Sequence, residues 1–268
     1  MPFEGKCLCF VTGASSGFGR SICRLLICEN GLLSKAQVGS QIILMSRNID
    51  QLKETRRLMK NISINTDYFS IQCESVDLSD ANAVESKFSD LLKCLPNDFD
   101  HILFFNNAGS IADVSKPILD YQWSIDDYAK YFNLSIISSI FMINALLHKY
   151  SQRLSDVVII QTSSLAAVQE MAYMPLYCAA KTSMDMFMKC VAKDQPNIKT
   201  LNYAPGPLDT PMGEDMKNKN FSDDTRQFFT HLYESGTIIK PEDSAGKLMG
   251  LLEKMEFESG AHIDYYDV

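Results

Sequence analysis

The chain has 268 residues, of which 46% are hydrophobic and 22% are charged, so it can build a sizeable core and is not a disordered chain. Its 25 Lys and Arg against 33 Asp and Glu give a formal net charge of -8, which leaves no basic stripe for a phosphate backbone and excludes nucleic acid as an expected partner. We expect one domain over residues 1–268, because an open α/β sheet absorbs this length.

The N-terminus runs directly into an apolar strand, with neither the layout of a signal peptide nor an Arg-rich transit segment. The longest apolar run, Ile136 to Leu147, contains Ser138, Ser139 and Asn144 and is too short for a bilayer span. The eight cysteines lack CxxC spacing and neighbouring histidines, so we predict reduced thiols and no metal site. A cytoplasmic protein without a membrane partner is therefore expected.

Apolar runs of strand character alternate along the chain with helix-length periodic segments. The runs lie near residues 6–12, 41–46, 69–75, 101–106, 155–162, 197–204 and 260–265. Such alternation predicts a parallel sheet, and because the early runs are apolar on both faces, helices should cover both. The predicted fold is α/β: a single-domain, Rossmann-type, doubly wound and mainly parallel sheet of seven strands with helices on both faces.

The first predicted strand ends in a glycine-rich stretch that opens at once into a helix, which is the context of a phosphate-binding loop. With GxxxGxG spacing, the stretch consists of Gly13, Ala14, Ser15, Ser16, Gly17, Phe18 and Gly19. Gly13 can make the tight turn, while Gly17 and Gly19 let a pyrophosphate and the sheet approach the helix N-terminus, whose dipole attracts anions. We predict a dinucleotide site here; the alternative is an ordinary turn.

The end of the second strand selects the nicotinamide cofactor, since NAD binding usually uses a carboxylate there to accept the ribose 2′-hydroxyl. Here Arg47 and Asn48 occupy that place, and a guanidinium suits the 2′-phosphate of NADPH. The alternative for Arg47 is a plain surface residue. Two further strand ends are predicted to contact the cofactor, although their residue types are also ordinary in turns. They are Asp77 and Leu78 after the third strand, and Asn107, Ala108 and Gly109 after the fourth.

The candidate chemistry lies in the second half of the chain. Tyr177 and Lys181 are four residues apart on a predicted helix, so both project from one face. A phenol suits acid–base work near neutral pH only when a neighbouring cation favours its anion, and Lys181 supplies that charge. Ser164 follows the fifth strand, at the edge where the cofactor should lie, and can orient a carbonyl.

Together, the glycine pattern, Asn-Asn-Ala-Gly at 106–109, Ser164, the Tyr177–Lys181 pair and Pro-Gly at 205–206 resemble the short-chain dehydrogenase/reductase family over nearly the whole chain. The resemblance implies hydride transfer from nicotinamide to a carbonyl carbon, with Tyr177 donating the proton, Lys181 holding the ribose hydroxyls and Ser164 binding the oxygen. It also implies that Asn133 positions a water for proton relay; otherwise Asn133 is a locally satisfied helix residue. Further cofactor contacts are implied at Leu208, Asp209, Thr210 and Met212.

Within this family, several segments are similar to enzymes that reduce the side-chain keto group of pterins. The segments are 17–20, 107–110, 113–116, 201–210 and 259–267. The similarity implies a pterin substrate and NADPH, with Asp264 as an anchor whose carboxylate accepts two hydrogen bonds from the pterin edge. The implied substrate contacts are Ser164, Leu165, Tyr177, Gly206 and Asp264. From residue chemistry alone, Asp264 would only cap the last strand.

One departure concerns Ser16, which stands where many NADPH-preferring relatives carry arginine. Discrimination against NADH should therefore be weaker than usual but present. Two other short-chain activities stay open: reduction of another small ketone or diketone, and alcohol oxidation. A non-catalytic NADPH-binding regulator is the alternative from another class.

Residues 213–240 are rich in Asp, Lys and Asn, with an aromatic cluster at Phe228, Phe229 and Tyr233. This composition is typical of a mobile substrate lid or of a solvated helix pair at the edge of the core. Predicted helices 124–149 and 175–192 are apolar over more than one face, which indicates a second buried surface. We expect a homodimer through them; deeper burial within one subunit is the alternative.

Overall fold

The fold is built on a parallel sheet whose strands run through the described residues, 3–63 and 66–268, of this computed structural model. Seven strands occur there: β1 (Cys7–Thr12), β2 (Ser40–Ser46), β3 (Phe69–Ser75), β4 (His101–Asn106), β5 (Val157–Thr162), β6 (Lys199–Ala204) and β7 (Ala261–Asp264). Their order is β3-β2-β1-β4-β5-β6-β7, and every neighbouring pair is parallel. The predicted doubly wound sheet is confirmed, with strand ends within about two residues of those read from periodicity.

The helices connect these strands and cover both faces. They are α1 (Gly17–Ile27), α2 (Ile49–Ile62), α3 (Ala81–Cys94), α4 (Ile125–Phe132), α5 (Ser138–Lys149), α6 (Pro175–Asp194), α7 (Pro211–Lys219), α8 (Asp223–Glu234) and α9 (Pro241–Lys254). Because side chains alternate along a strand, β1 sends Cys9 toward α1, α2 and α9 but Phe10 toward α3, α5 and α6. The sheet grows from β1 toward β3 on one side and from β4 toward β7 on the other, and this switch between β1 and β4 opens a crevice at the carboxyl edge.

Local signals fix where several helices begin. Asn48 caps α2 by accepting hydrogen bonds from two backbone N–H groups, and Asp80 caps α3. Ser124 and Asp127 form a reciprocal capping box at α4. Three further helices, α6, α7 and α9, carry proline in the first turn, where a missing N–H costs nothing.

One long helical stretch, Ile125–Lys149, runs through α4, a π-helical turn at Asn133–Ile137, and α5. In the described residues it is the one helix long and apolar enough to cross a membrane by length and composition, and 33% of that apolar window is buried. A core helix passes the same test, and Met142, Ile143 and Leu146 pack fully buried against the sheet and α3.

Candidate active site

The glycine loop lies at the carboxyl end of β1, beside the crevice. Gly13 has φ +68° and Gly17 φ +50°, conformations that favour glycine. A Cβ on Gly19 would lie 2.3 Å from the carbonyl oxygen of Gly13, and one on Gly17 would lie 3.1 Å from Thr210. The loop therefore leaves a cradle that any side chain would fill, which fits a pyrophosphate at the start of α1.

Asn107 holds this loop in place. Its side-chain amide donates to the carbonyl of Thr12 at 3.0 Å, while its carbonyl oxygen accepts from the Thr162 hydroxyl at 3.2 Å. The hydroxyl of Thr12 accepts in turn from the backbone N–H groups of Asn107 and Ala108. The predicted contact segment Asn107–Gly109 thus joins the ends of β1, β4 and β5. The side chain of Asn107 holds the glycine loop in its conformation.

At the end of β2 the two predicted cofactor residues behave differently. Arg47 is exposed, and its guanidinium makes no hydrogen bond or ion pair with any described residue, although it contributes to lowering the pKa of Asp77. Asn48 is occupied as the cap of α2. Ser16 is exposed and makes no capping bond at α1. A cation that no described residue engages is suited to a 2′-phosphate.

The end of β3 supplies the predicted adenine contacts. Burial raises the pKa of the Asp77 carboxyl, but hydrogen bonds from the N–H and hydroxyl of Ser79 outweigh it and hold the pKa below its usual value. The backbone carbonyl of Leu78 accepts from Ser138 of α5 at 2.7 Å. These bonds fix the β3–α3 turn in one conformation at the crevice.

Tyr177, Ser164 and Lys181 converge, as predicted, at the carboxyl edge. Tyr177 is buried, which raises the pKa of its phenol, while a hydrogen bond with Ser164 lowers it. Ser164 follows β5, and its oxygen also accepts from the N–H of Ala166 at 3.2 Å. The Tyr177 phenol and the Ser164 hydroxyl therefore lie close enough for one carbonyl oxygen to accept a hydrogen bond from each.

The ammonium of Lys181 lies 5.5 Å from the centre of the Tyr177 ring and donates to the carbonyl of Thr162 at 2.6 Å. Burial lowers the pKa of Lys181 to about 8, against the opposing effect of the Asp185 carboxylate. An ammonium has three donors, so two stay available for hydroxyl groups of a ligand. Gly109 flanks the ammonium on the side of β4.

Asn133 begins the π-helical turn that packs on α6. Its side-chain amide donates to the carbonyl of Ser79 at 3.2 Å, on the adenine side of the crevice. Its backbone carbonyl accepts from Ser138. Neither bond joins Asn133 to Lys181, and the relay through a water stays a prediction.

The segment after β6 lies beside the glycine loop, and the cofactor contacts implied at Leu208, Asp209, Thr210 and Met212 stay a prediction. Leu208 pairs with Ile239, and the N–H of Asp209 donates to the same residue's carbonyl at 2.8 Å. Thr210 caps α7 and faces Gly17 of the loop. Met212 is 37% exposed in the first turn of α7. The segment is thereby held where it can contact a dinucleotide's pyrophosphate side.

The carboxyl end of β7 lies beside that of β6, with Asp264 paired to Ala204. One carboxylate oxygen of Asp264 accepts from the N–H of Tyr266 at 3.0 Å, so the residue does cap the final turn. Its other oxygen has no hydrogen bond to any described residue. Gly206, at φ +76°, passes close to Tyr265 and Ile239. Leu165 is 46% exposed beside Ser164.

An apolar cluster around Tyr177 was not predicted from the sequence. Its members are Ile111, Val114, Ala166, Met171, Met174, Tyr177, Cys178, Met216 and Phe229. They come from four separate stretches of chain, so no local pattern identifies them. The cluster gives the phenol an apolar wall, as a flat heterocyclic substrate would need.

Residues 213–240 form the helix pair α7–α8, with Met216 and Phe229 packed into this cluster. The connection between the helices is attached across the site: the N–H of Phe221 donates to the carbonyl of Val114 at 2.7 Å, and its ring lies 4.8 Å from that of Tyr173. The pair is thus in the position of a lid; its motion stays a prediction. Phe228 and Phe229 contact edge to face, while Lys217 lies over the ring of Tyr233.

Known proteins resemble this chain over most of its length. Residues 8–220 match the family model for short chain dehydrogenase. The chain is 34% identical to a sepiapterin reductase of Xenopus tropicalis, over 98% of its own length and 97% of that protein's. It is 33% identical to the sepiapterin reductase of Rattus norvegicus, over 98% of each.

Among solved structures, the L-sorbose reductase of Gluconobacter frateurii, complexed with NADPH and L-sorbose, superposes with a TM-score of 0.74 at 21% identity, over 98% of this chain and 97% of that one. That likeness concerns the fold, whereas the likeness to the two sepiapterin reductases extends to sequence along the whole chain.

Proposed function

Because the chain belongs to the short-chain dehydrogenase/reductase family of oxidoreductases, we propose that it is an NADPH-dependent reductase of pterin side-chain ketones. The reaction would convert sepiapterin to dihydrobiopterin, and 6-pyruvoyl-tetrahydropterin to tetrahydrobiopterin, in tetrahydrobiopterin biosynthesis. The observation that carries the proposal is that Tyr177, Lys181 and Ser164 converge at the carboxyl edge of the sheet, where Asp264 ends β7 with one carboxylate oxygen not engaged by any described residue. Similarity to sepiapterin reductases over the full length supports the choice of substrate.

The residues around the carbonyl divide the work. A bound reduced nicotinamide would supply the hydride. Tyr177 donates its phenolic proton to the carbonyl oxygen, and the Ser164 hydroxyl donates a hydrogen bond to the same oxygen. Lys181 uses its free donors on ribose hydroxyls, and its charge favours the phenolate that the transfer leaves behind. Since the pKa of Lys181 is about 8, the charge is present near neutral pH and is lost above that value.

Preference for NADPH would rest on Arg47. Its guanidinium is exposed and unengaged among the described residues, at the end of β2 where the ribose 2′ position is expected. The structurally similar L-sorbose reductase was solved with NADPH, which agrees with this assignment. Because Ser16 adds no charge, we expect a moderate preference over NADH.

Pterin binding would combine shape and charge. The apolar cluster offers a wall for a flat ring, and Asp264 offers the carboxylate oxygen that is not engaged with Tyr266. For the pterin edge to donate to both carboxylate oxygens, the oxygen that accepts from the N–H of Tyr266 must also accept a second hydrogen bond, from the pterin. Anchoring the ring there would bring the side-chain carbonyl to Tyr177 and Ser164.

The test follows NADPH and sepiapterin absorbance together in the purified protein, with 2,3-butanedione as a small ketone that cannot reach Asp264. We expect turnover of sepiapterin, and a rise in its KM of roughly 30-fold in Asp264→Asn, the factor for about 2 kcal/mol of lost anchoring. Asp267→Asn removes an equal charge from the same turn and serves as the control.

Three outcomes would count against this assignment. An unchanged KM for sepiapterin in Asp264→Asn would contradict the role of Asp264 as the pterin anchor. Reduction of butanedione without sepiapterin turnover assigns another small ketone to the same machinery. NADPH binding without turnover of either substrate would favour the alternative of a non-catalytic NADPH-binding regulator.

We also propose that the protein is a homodimer through α5 and α6. Ile137, at the end of the π-helical turn that leads into α5, is 50% exposed, and Met186 of α6 is 57% exposed. A groove of about 810 Å³ lined by Val168, Cys178 and Ala179 runs beside α6. Only 33% of the apolar window in Ile125–Lys149 is buried in one subunit, which supports a second buried surface on this stretch. Light scattering at micromolar concentration should give twice the mass of 30.1 kDa, and Met186→Glu should shift it toward one subunit. A wild-type mass of one subunit would contradict the proposal.

A further inference from the structure

A buried carboxylate lies behind the catalytic groups, and none of the steps above uses it. The side chain of Asp185, on α6, is 4% exposed. It accepts a hydrogen bond from the Ser163 hydroxyl at 2.6 Å, and its second oxygen lies 2.5 Å from Nδ1 of His262, which is 14% exposed. We call these three residues the Asp185 cluster. A buried carboxylate needs hydrogen-bond donors, and Ser163 and His262 supply them here.

The cluster contains serine, histidine and aspartate, but it is not a hydrolytic triad. In a triad the imidazole stands between hydroxyl and carboxylate. Here the carboxylate of Asp185 is the centre, and the Ser163 oxygen is 3.5 Å from Nδ1 of His262. Since a carboxylate only accepts, Nδ1 carries the proton that it donates. The arrangement binds three elements together and generates no nucleophile.

Each member lies next to a group of the proposed reaction. Asp185 is one helical turn beyond Lys181 and two beyond Tyr177, on the same face of α6. Ser163 directly precedes the carbonyl-binding Ser164 at the end of β5. His262 lies on β7, two residues before Asp264, and therefore on the same side of that strand.

We propose that the carboxylate of Asp185 is a positioning group for the reaction: through His262 and Ser163 it fixes the helix of the proton donor against the two strand ends that hold the carbonyl and the pterin. The inference rests on the proposed function, which defines what those strand ends bind. A shift of about 1 Å between such groups is enough to slow a reaction by roughly 100-fold. Charge-assisted hydrogen bonds are strong enough to prevent it.

The cluster also acts on Lys181 electrostatically. The titratable groups beside that ammonium are Tyr177 and Asp185, both on α6. Behind them, Tyr131 of α4 interacts with Tyr177, and His262 of β7 contacts Asp185. Of these, the carboxylate of Asp185 raises the pKa of Lys181, against the larger effect of burial. Removing its charge should therefore move the alkaline loss of reductase activity to lower pH.

The experiment compares Asp185→Asn with Thr200→Val. Thr200 is fully buried on β6 and donates to the carbonyl of Met188 on α6 at 3.2 Å, so its loss also weakens the contact of α6 with the sheet but leaves the cluster intact. For Asp185→Asn we expect kcat to fall roughly tenfold on both sepiapterin and 2,3-butanedione, with an unchanged Kd for NADPH. The midpoint of the alkaline limb should fall by roughly one pH unit. Thr200→Val should keep the wild-type kcat and midpoint.

A second variant, His262→Gln, keeps a donor for the carboxylate and guards against a failure of Asp185→Asn to fold. It perturbs β7 most directly, so we expect the KM for sepiapterin to rise several-fold while the KM for butanedione stays unchanged. Wild-type values of kcat, KM and midpoint in either folded variant would overturn the positioning role. Equal losses in Asp185→Asn and Thr200→Val, with an unmoved midpoint, would overturn it too.

These results separate the two proposals. If the wild type reduces butanedione but not sepiapterin, the pterin assignment fails, while the kcat and the pH midpoint of Asp185→Asn on butanedione still decide the positioning role. If sepiapterin is reduced and Asp185→Asn behaves as wild type, the positioning role fails alone. Reduction of neither substrate overturns both.

Discussion

Replacing Lys181 by methionine should abolish reductase activity and yet stabilise the free protein at neutral pH. Burial lowers the pKa of Lys181 from its ordinary 10.5 to about 8, which corresponds to at most about 3 kcal/mol of unfavourable free energy for the charged form. Methionine is of similar length and removes this cost. It also loses the hydrogen bond to Thr162, worth about 1 kcal/mol. The net gain expected below pH 8 is therefore about 2 kcal/mol.

The gain must depend on pH with a definite sign. Between about pH 8 and 10.5 the unfolded chain binds a proton at Lys181 that the folded chain lacks, so wild-type stability rises with pH across that window. The advantage of Lys181→Met should accordingly shrink to about zero between roughly pH 9.5 and 10 and reverse at higher pH. Below pH 8, Lys181 is protonated in both the folded and the unfolded wild type, and Lys181→Met shows its full gain in stability.

Urea unfolding followed by circular dichroism, at one fixed protein concentration and at about pH 7 and pH 9.5, measures this difference. Lys193→Met removes the same charge from an exposed position of α6 and should show no pH-dependent gain. A Lys181→Met variant that is less stable than wild type at pH 7, or whose advantage is the same at both pH values, would refute the argument that burial destabilises the ammonium.

Four further substitutions test the site. Tyr177→Phe should lower kcat by roughly 100- to 10,000-fold, because the proton donor is lost. The Kd for NADPH, measured by fluorescence titration, should stay unchanged. In steady-state kinetics Arg47→Ala should raise the KM for NADPH roughly tenfold and leave that for NADH unchanged, whereas Ser16→Arg should strengthen the preference; equal wild-type efficiency with both cofactors would contradict the role of Arg47. Gly19→Ala should weaken NADPH binding and lower the melting temperature, since its Cβ would lie 2.3 Å from a loop carbonyl, while Gly246→Ala, with open space around it, should do neither.

Most of the fold is legible in the sequence because a doubly wound sheet repeats one local pattern. β1 reads as a strand buried on both faces, since Cys9 and Phe10 face opposite helical layers and are both fully buried. The predicted start of the fifth strand, at 155, was two residues early, because Arg153 and Asp156 pair within a preceding helical turn and β5 begins at Val157. Polar residues at such a junction carry no periodicity that would locate the boundary.

The helix 124–149 was predicted as one element, and the structure divides it at Asn133 by a π-helical turn. The extra residue in that turn directs the Asn133 amide to Ser79 of a distant loop. A hydrogen bond of this kind depends on where α3 lies, and apolar spacing along the helix does not encode it.

By itself, the sequence determined the glycine loop, the pairing of Tyr177 with Lys181 on one helix face, and the placing of Ser164 at a strand end, because each depends on spacing within a few residues. Only the tertiary structure decided that Asp185 meets His262, 77 residues further on, and that α7 brings Met216 to Tyr177. Contacts across such separations follow from strand order and helix packing, which are set by the burial of whole faces at once; a local pattern fixes the face that a side chain occupies, but not the partner that it meets there.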